Sequence, residues 1–239
     1  MLVTTRVDDD ATAAEVAAIL RYADLTPESI RHVRGEREGL PPELLDGMDA
    51  LILTGSPFTA SDPAESKSAD QLRVEEELRR MLDRVLAEDL PLLGACYGVS
   101  TLGLHQGAVV DRTYGEPSGA TTIELTDAGR ADPVFRALPD RFDAFVGHKE
   151  AIRVLPPGAV LLATGAACPV QAFRIGQHQY ATQFHPELDV EGLVARVTLY
   201  RDAGYFPSHE LDRIIDAARR ARVGSAHAML RSFADRYLR

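Results

Sequence analysis

Apolar runs alternating with amphipathic stretches predict an α/β protein with a mixed, mostly parallel central sheet flanked by helices, an antiparallel strand insertion and a helical C-terminal extension. Three observations carry this. The runs ALILT (residues 50–54) and PLLGA (residues 91–95) are continuously apolar, as strands buried on both faces of a parallel sheet are. Helical periodicity fills the interval between them. A later series of short strand candidates is separated by turns rather than by long helices.

The first strand candidate is residues 1–7, followed by acidic residues 8–10 and an Ala-rich helix over 13–23 with Thr12 as its N-cap. Residues 30–34 form a weaker second strand, and Gly39 to Pro42 breaks the chain before the run at 50–54, which Gly55 bounds. A polar loop with two prolines covers 55–70. Leu72, Glu75, Glu76, Arg79, Leu82 and Val85 then alternate around a helix that ends before Pro91. After the strand at 91–95 comes a short helix over 99–104. Strands are predicted at 108–112, 121–125, 142–147, 160–164, 171–175 and 180–184, a spacing that suggests hairpins added to a βαβ half. Three helices follow, over 190–203, 208–222 and 226–237, interrupted at 204–207 and at Gly224.

With 239 residues, 45% of them hydrophobic and 26% charged, the chain has the composition of an ordinary globular protein, one large domain or two small ones. A net charge of −10 argues against a general nucleic-acid binder, which needs Lys and Arg in excess. Cys96 and Cys168 are too few for a disulfide framework and lack zinc-site spacing. No apolar leader and no run of 18 apolar residues occurs, so a cytoplasmic location without membrane contact is expected. Residues 1–200 hold 18 basic against 31 acidic side chains, whereas residues 201–239 hold 8 against 5. The C-terminal unit is therefore mildly basic, most simply a solvated helix face against an acidic body.

The sharpest chemical feature is Gly94-Ala95-Cys96-Tyr97-Gly98, a G-x-C-x-G pentapeptide between a buried strand and a helix. Glycines flank the nucleophile of such an elbow because the strand-to-helix turn is tight and strained. The helix N-terminus favours a thiolate and offers N–H groups to an oxyanion. A buried cysteine in a Gly-rich turn is the bland alternative. Gln183-Phe184-His185-Pro186-Glu187 supplies the second feature: in extended chain His185 and Glu187 project to the same side, so the carboxylate can orient an imidazole that serves a thiol. His-x-Glu alone is commonly a surface accident, and metal ligation by this pair with His148 or His178 is an alternative.

Together these motifs resemble the class-I glutamine amidotransferases. Leu53-Thr54-Gly55-Ser56-Pro57 is similar to the family's Gly-Gly-Pro loop, Gly147-His148-Lys149-Glu150 ahead of Leu155-Pro156-Pro157-Gly158 resembles the Ser-His-x-Asp segment and Leu-Pro-x-Gly turn of GMP-synthase-type glutaminase domains, and residues 168–173 resemble a strand of the same domains. The resemblance covers residues 50–188 in order and implies a flavodoxin-like domain over 1–188, with 189–239 a helical extension packed on it. It implies Cys96 as nucleophile, His185 as base, Glu187 as orienting acid, and backbone N–H groups of Gly55 and Tyr97 as the oxyanion hole. Ser56, Ser100, Gly147, His148 and Lys149 fall at substrate-contact positions, and neither a metal nor another cofactor is implied.

The chemistry so implied is hydrolysis of the glutamine side-chain amide through a γ-glutamyl thioester, with ammonia passed to a synthase or acceptor partner. The fifty or so residues beyond 188 are fewer than a nucleotide-activating synthase domain needs, which puts any acceptor chemistry on another chain. Two departures matter. Ser100 stands where the family carries a substrate-binding Gln, and Gly147 and Glu150 replace the Ser and Asp of Ser-His-x-Asp. One alternative is therefore a γ-glutamyl peptide or amide hydrolase, and a further one is a catalytically silent binding or regulatory protein. Cys168, His105 and the Glu75–Glu77 face read as structural, and Tyr114-Gly115-Glu116 lies where the family has a loop near the pocket.

Overall fold

A computed structural model describes residues 1–238. In chain order the strands are β1 (Leu2–Thr4), β2 (His32–Arg34), β3 (Leu51–Leu53), β4 (Leu92–Ala95), β5 (Val109–Asp111), β6 (Glu116–Leu125), β7 (Arg141–His148), β8 (Ala151–Val154), β9 (Val160–Gly165), β10 (Ala172–Ile175) and β11 (Gln179–Thr182). The helices are α1 (Asp9–Ala23), α2 (Gly35–Glu38), α3 (Ala69–Ala87), α4 (Tyr97–His105), α5 (Asp127–Ala131), α6 (Val190–Leu199), α7 (Leu211–Arg220) and α8 (His227–Tyr237). Nine strands form one sheet in the order β2-β1-β3-β4-β11-β10-β9-β6-β7, parallel from β2 to β11 and antiparallel from β11 to β7. The fold is the α/β architecture the apolar runs predict.

The parallel strands are short and wholly apolar because both faces are covered. One face packs against α1 and α8 through Ile19, Tyr180, Phe135, Met229 and Phe233. The other packs against α3 and α4 through Val74, Leu78, Met81, Leu82, Val85 and Val99. A third cluster joins Phe145 of β7 to Leu193 and Val197 of α6, Phe206, and Ile214 of α7.

Several sequence expectations are corrected. α1 is capped by Asp8, whose carboxylate accepts from the Ala11 N–H at 2.8 Å; Thr12 lies inside the helix, its hydroxyl turned back to the Asp8 carbonyl. Leu72 is 42% exposed, so α3 buries the stripe from Val74 to Val85 instead. β6 begins at Glu116 rather than at 121, because the Pro117–Gly119 irregularity interrupts the alternation that marks a strand while the pairing with β7 continues past it. β8 escaped prediction and pairs with β5 in a separate two-stranded sheet. α5, capped by Thr126, is too short for a periodic signal. Among the described residues no helix is long and apolar enough to cross a membrane.

The turn that carries His185 and Glu187 is held from both ends of the chain. Tyr22 of α1 donates its hydroxyl proton to Asp189 at 2.7 Å, and Asp189 also caps α6. His227, at the start of α8, hydrogen-bonds the Pro186 carbonyl at 2.7 Å and stacks on Tyr22 with ring centroids 3.6 Å apart. Phe233 is fully buried edge-on to Tyr180 of β11. Phe233→Ala is expected to destabilise the protein by about 3–5 kcal/mol, measured by urea unfolding, if α8 belongs to the same cooperative unit as the sheet. A loss below about 1 kcal/mol would mean that α8 is an independent appendage.

Candidate active site

The C-terminal edge of the parallel strands is where an open α/β sheet places its ligands, and the central pair there is β4 and β11. Their register pairs Ala95 with Thr182, so the residues just past each strand are neighbours. Cys96 follows β4 with φ 52° and ψ −90°, a conformation that costs a residue with a Cβ on the order of 1–3 kcal/mol. Its backbone is fixed on both sides: the Cys96 N–H donates to the Thr182 carbonyl at 2.7 Å, and its carbonyl accepts from the Val99 N–H at 3.0 Å. A Cβ on Gly94 would stand 3.0 Å from the Gly98 Cα, so the turn requires glycine there. Tyr97 opens α4, where the first N–H groups have no acceptor within the helix.

His185 sits one turn beyond β11. Its backbone N–H donates to the Phe145 carbonyl of β7 at 2.9 Å, an isolated bridge that reaches over the intervening strands. Its Nδ1 lies 2.8 Å from Glu187 Oε1, leaving Nε2 for the thiol, and the Cys96 side chain is within hydrogen-bonding reach of the ring. Burial opposes the imidazolium, but Glu187 and the Cys96 sulfur outweigh it and push His185 up to about 9. Burial also opposes the Glu187 carboxylate, yet His185 and Arg196 hold it well below the usual carboxylate range. Gly55 completes the cluster: a Cβ there would lie 2.7 Å from His185 Cε1 and 3.5 Å from the Cys96 Cβ. The structure thus brings Cys96, His185, Glu187, Gly55 and Tyr97 to one point.

Two small adjoining cavities meet at Cys96, sharing Ser56, Gly147 and Tyr205. One continues past Ser100, Lys149 and Gln183; the other is walled by Leu193, Val197, Tyr200 and Phe206 of the segment after residue 188. Ser56 also accepts the Phe58 N–H at 3.1 Å. His148 lines the first cavity, but Nδ1 is bound to the Glu150 carbonyl at 2.8 Å and Nε2 to Glu116 at 3.0 Å. The Lys149 ammonium lies over the Tyr205 ring, 4.7 Å from its centroid. Glu150 accepts from the Ala60 and Ser61 N–H groups at 3.0 and 2.6 Å, and so holds the loop that follows Gly55.

His148 and His178 do not join His185 and Glu187 as metal ligands, since His148 is bound to Glu116 and His178 to Tyr237. A different trio, Glu116, His148 and Cys168, brings its donor atoms within 4.8 Å in the core. Its groups already satisfy one another and the backbone: Glu116 takes Gln171 at 2.6 Å as well as His148, and the Cys168 thiol, pushed by burial up to about 12, faces the Val170 carbonyl. His105 is bound to Asp83 at its helix end, and Glu76 faces solvent with Arg79 and Arg80.

Arg6, Glu15 and Arg196 had no sequence signal. Arg196 NH2 donates to Glu187 Oε1 at 2.9 Å and to Glu15 Oε1 at 2.6 Å, and Arg6 Nε reaches the same Glu15 oxygen at 3.1 Å. No motif scan finds residues 181 positions apart.

A family model described as "Glutamine amidotransferase class-I" matches residues 16–192. The chain is 31% identical over 187 residues to "GMP synthase [glutamine-hydrolyzing]" of Thermomicrobium roseum, covering 75% of this chain and 32% of that protein. It is 28% identical over 166 residues to a separately encoded subunit of "GMP synthase [glutamine-hydrolyzing]" from Thermoplasma volcanium, covering 67% of this chain and 75% of that one. The chain spans 24% and 32% of the first two curated relatives it matches. A Thermotoga maritima glutamine amidotransferase structure superposes with TM-score 0.78 at 20% identity, over 100% of this chain and 98% of that chain. One from Methylobacillus flagellatus gives 0.73 at 16%, over 100% and 93%. These two likenesses show the fold.

The direction of the His185 shift sets a pH dependence. A histidine raised from 6.5 to about 9 contributes stability that is complete below about pH 6.5 and is lost as pH rises through about 9. The depressed Glu187 contributes above about pH 4.5 and loses its share as pH falls. The difference in urea midpoint between the protein and His185→Gln is therefore expected to be larger at about pH 6 than at about pH 9.5. An equal difference at both values would show that the pair is not ionic.

Proposed function

The chain belongs to the class-I glutamine amidotransferase family, and we propose that it hydrolyses a γ-glutamyl amide, glutamine in the first instance, through Cys96, His185 and Glu187. The carrying observation is the convergence of a conformationally strained Cys96, the His185–Glu187 pair and the Gly55 backbone at the ends of β4, β11 and β3. His185 Nε2 takes the thiol proton, and the Cys96 sulfur attacks the amide carbon. The Gly55 and Tyr97 N–H groups receive the oxyanion. His185 returns the proton to the departing nitrogen, ammonia leaves, and a γ-glutamyl thioester remains. Water deprotonated by the same imidazole attacks the thioester; glutamate departs and the thiol regains its proton. Glu187 holds the ring in the tautomer this cycle needs.

Ser100, Lys149 and the backbone at Gly147 line the cavity proposed for the amino-acid end of the substrate, with Ser56 at the junction. His148, with both ring nitrogens engaged, shapes that cavity rather than offering a free polar atom. A second reading, hydrolysis of a substituted γ-glutamyl amide or peptide, is favoured by the short Ser100 and by the Tyr200 and Phe206 wall beside Cys96. The Thermoplasma relatives, which are subunits of GMP synthase, support an acceptor enzyme on a separate chain as the destination of ammonia. The segment after residue 188, which supplies Arg196 and that wall, is proposed to work as part of the same domain.

Purified protein is expected to release glutamate from glutamine, and the rate is expected to fall about a thousandfold or more in Cys96→Ala. γ-Glutamyl dipeptides, assayed beside it, separate the two readings by kcat/KM. Equal background from both proteins on every substrate, with a suitable synthase supplied, would sink the hydrolytic reading.

A further inference from the structure

Behind the imidazole lies an arrangement that a thiol, an imidazole and a carboxylate do not by themselves need. Glu187 Oε1 is shared: His185 Nδ1 reaches it at 2.8 Å and Arg196 NH2 at 2.9 Å. The other terminal nitrogen of Arg196 lies 3.0 Å from His185 Nδ1 itself. A ring nitrogen that gives its proton to Glu187 has no lone pair for a guanidinium, so Arg196 and the His185 proton compete for the same carboxylate oxygen. The cation also faces the imidazolium with like charge.

Arg196 is not free to move off. Its NH2 donates to Glu15 Oε1 at 2.6 Å, and the second Glu15 oxygen accepts from the Thr54 hydroxyl at 2.8 Å. The Glu15 side chain is 0% exposed, that of Glu187 2% and that of Arg196 13%. Two guanidinium groups, Arg6 and Arg196, thus balance two carboxylates, Glu15 and Glu187, in a buried cluster with no net charge. Such a cluster tolerates one added proton at His185 only against the pull of its own cations.

The other charged or titratable groups facing the ring are Cys96 from the β4–α4 turn, Arg6 from the end of β1, and Tyr200 and Tyr205 beyond α6. Cys96 and Glu187 favour the protonated ring. Arg6 is turned toward Glu15 and Tyr200. Among the described residues, Arg196 is the cation within hydrogen-bonding distance of the imidazole.

We propose that Arg196, tethered by Glu15, is a positioning residue that shares Glu187 with His185 and weakens the carboxylate's hold on the imidazolium, so that His185 releases its proton to a departing amine. The consequence for turnover rests on the hydrolytic reading above. The proton affinity of the ring does not, and it is measurable without substrate.

The test is a titration of the His185 ring nitrogens by NMR in the full-length protein, in a Cys96→Ala background that removes the thiol's own titration. Arg196→Gln is expected to raise the His185 midpoint by about one pH unit or more, and Arg196→Lys by less. Glu15→Gln is expected to lower it, because Arg196 is then left wholly to Glu187 and the ring. Mere loosening of the fold would move every variant down toward the ordinary histidine value of about 6.5. An unchanged or lowered midpoint in folded Arg196→Gln overturns the proposal. Should that variant not fold, an unchanged midpoint in Glu15→Gln overturns it instead. Where amide hydrolysis is detected in the Cys96 protein, the alkaline limb of kcat/KM should follow the same order. Absence of hydrolysis on all substrates would remove the catalytic reading and leave the titration result standing.

Discussion

A single backbone conformation, the positive φ of Cys96, governs the layout of the site. A strained turn persists only when its surroundings over-determine it. Here the surroundings are β11, which accepts the Cys96 N–H at Thr182, the first turn of α4, and a pair of glycines in close approach across the bend. Because β11 lies beside β4 in parallel, whatever follows β11 emerges next to Cys96. That the next residues are Gln183, Phe184 and His185 makes the sheet order itself the device that pairs thiol and imidazole.

Beneath this lies a second constraint, the burial of charge in a chain of net charge −10. Arg6 comes from the end of β1, Glu15 from α1, Glu187 from the turn after β11 and Arg196 from α6, so the ionic cluster draws on both ends of the chain. None of these side chains can be left alone in a low-dielectric interior without a large desolvation cost. The helices after residue 188 are thereby tied to the chemistry: α6 supplies Arg196, and α8 holds the Pro186 carbonyl through His227. The basic excess of the last forty residues reads simply as solvated helix faces, since Arg213, Arg219 and Arg231 pair with exposed carboxylates on or beside their own helices.

What the sequence made legible was local or periodic. Apolar runs announce β3 and β4 because both their faces are buried, and the G-x-C-x-G turn announces α4 because its glycines answer a steric demand. α3 was visible in outline, but its buried stripe was misplaced by the exposed Leu72. β8 and the first half of β6 were hidden, one because four residues are too few for alternation and the other because Pro117 and Gly119 disguise a bulge. The partners of the triad candidates were hidden for another reason. Arg6, Glu15 and Arg196 meet only after the sheet has formed, and an isolated Arg or Glu at the end of a strand or inside a helix is indistinguishable from a solvated one. Likewise, nothing in the string Gly147-His148-Lys149-Glu150 reveals that Glu150 points to the backbone of a loop ninety residues earlier.

That last contact bears on how the protein waits for its substrate. Loops that carry an anion-stabilising amide are commonly slack, and a slack loop has to be set in order each time the reaction runs. Here both carboxylate oxygens of Glu150 grip consecutive amides of the segment that begins at Gly55, and Gln71 of α3 fastens the Thr59 carbonyl beside them. The ordering entropy of the segment is therefore spent once, during folding, and is not charged to each turnover. An enzyme built this way idles in its working shape, and a partner docking on it would find geometry to feed from rather than geometry to create.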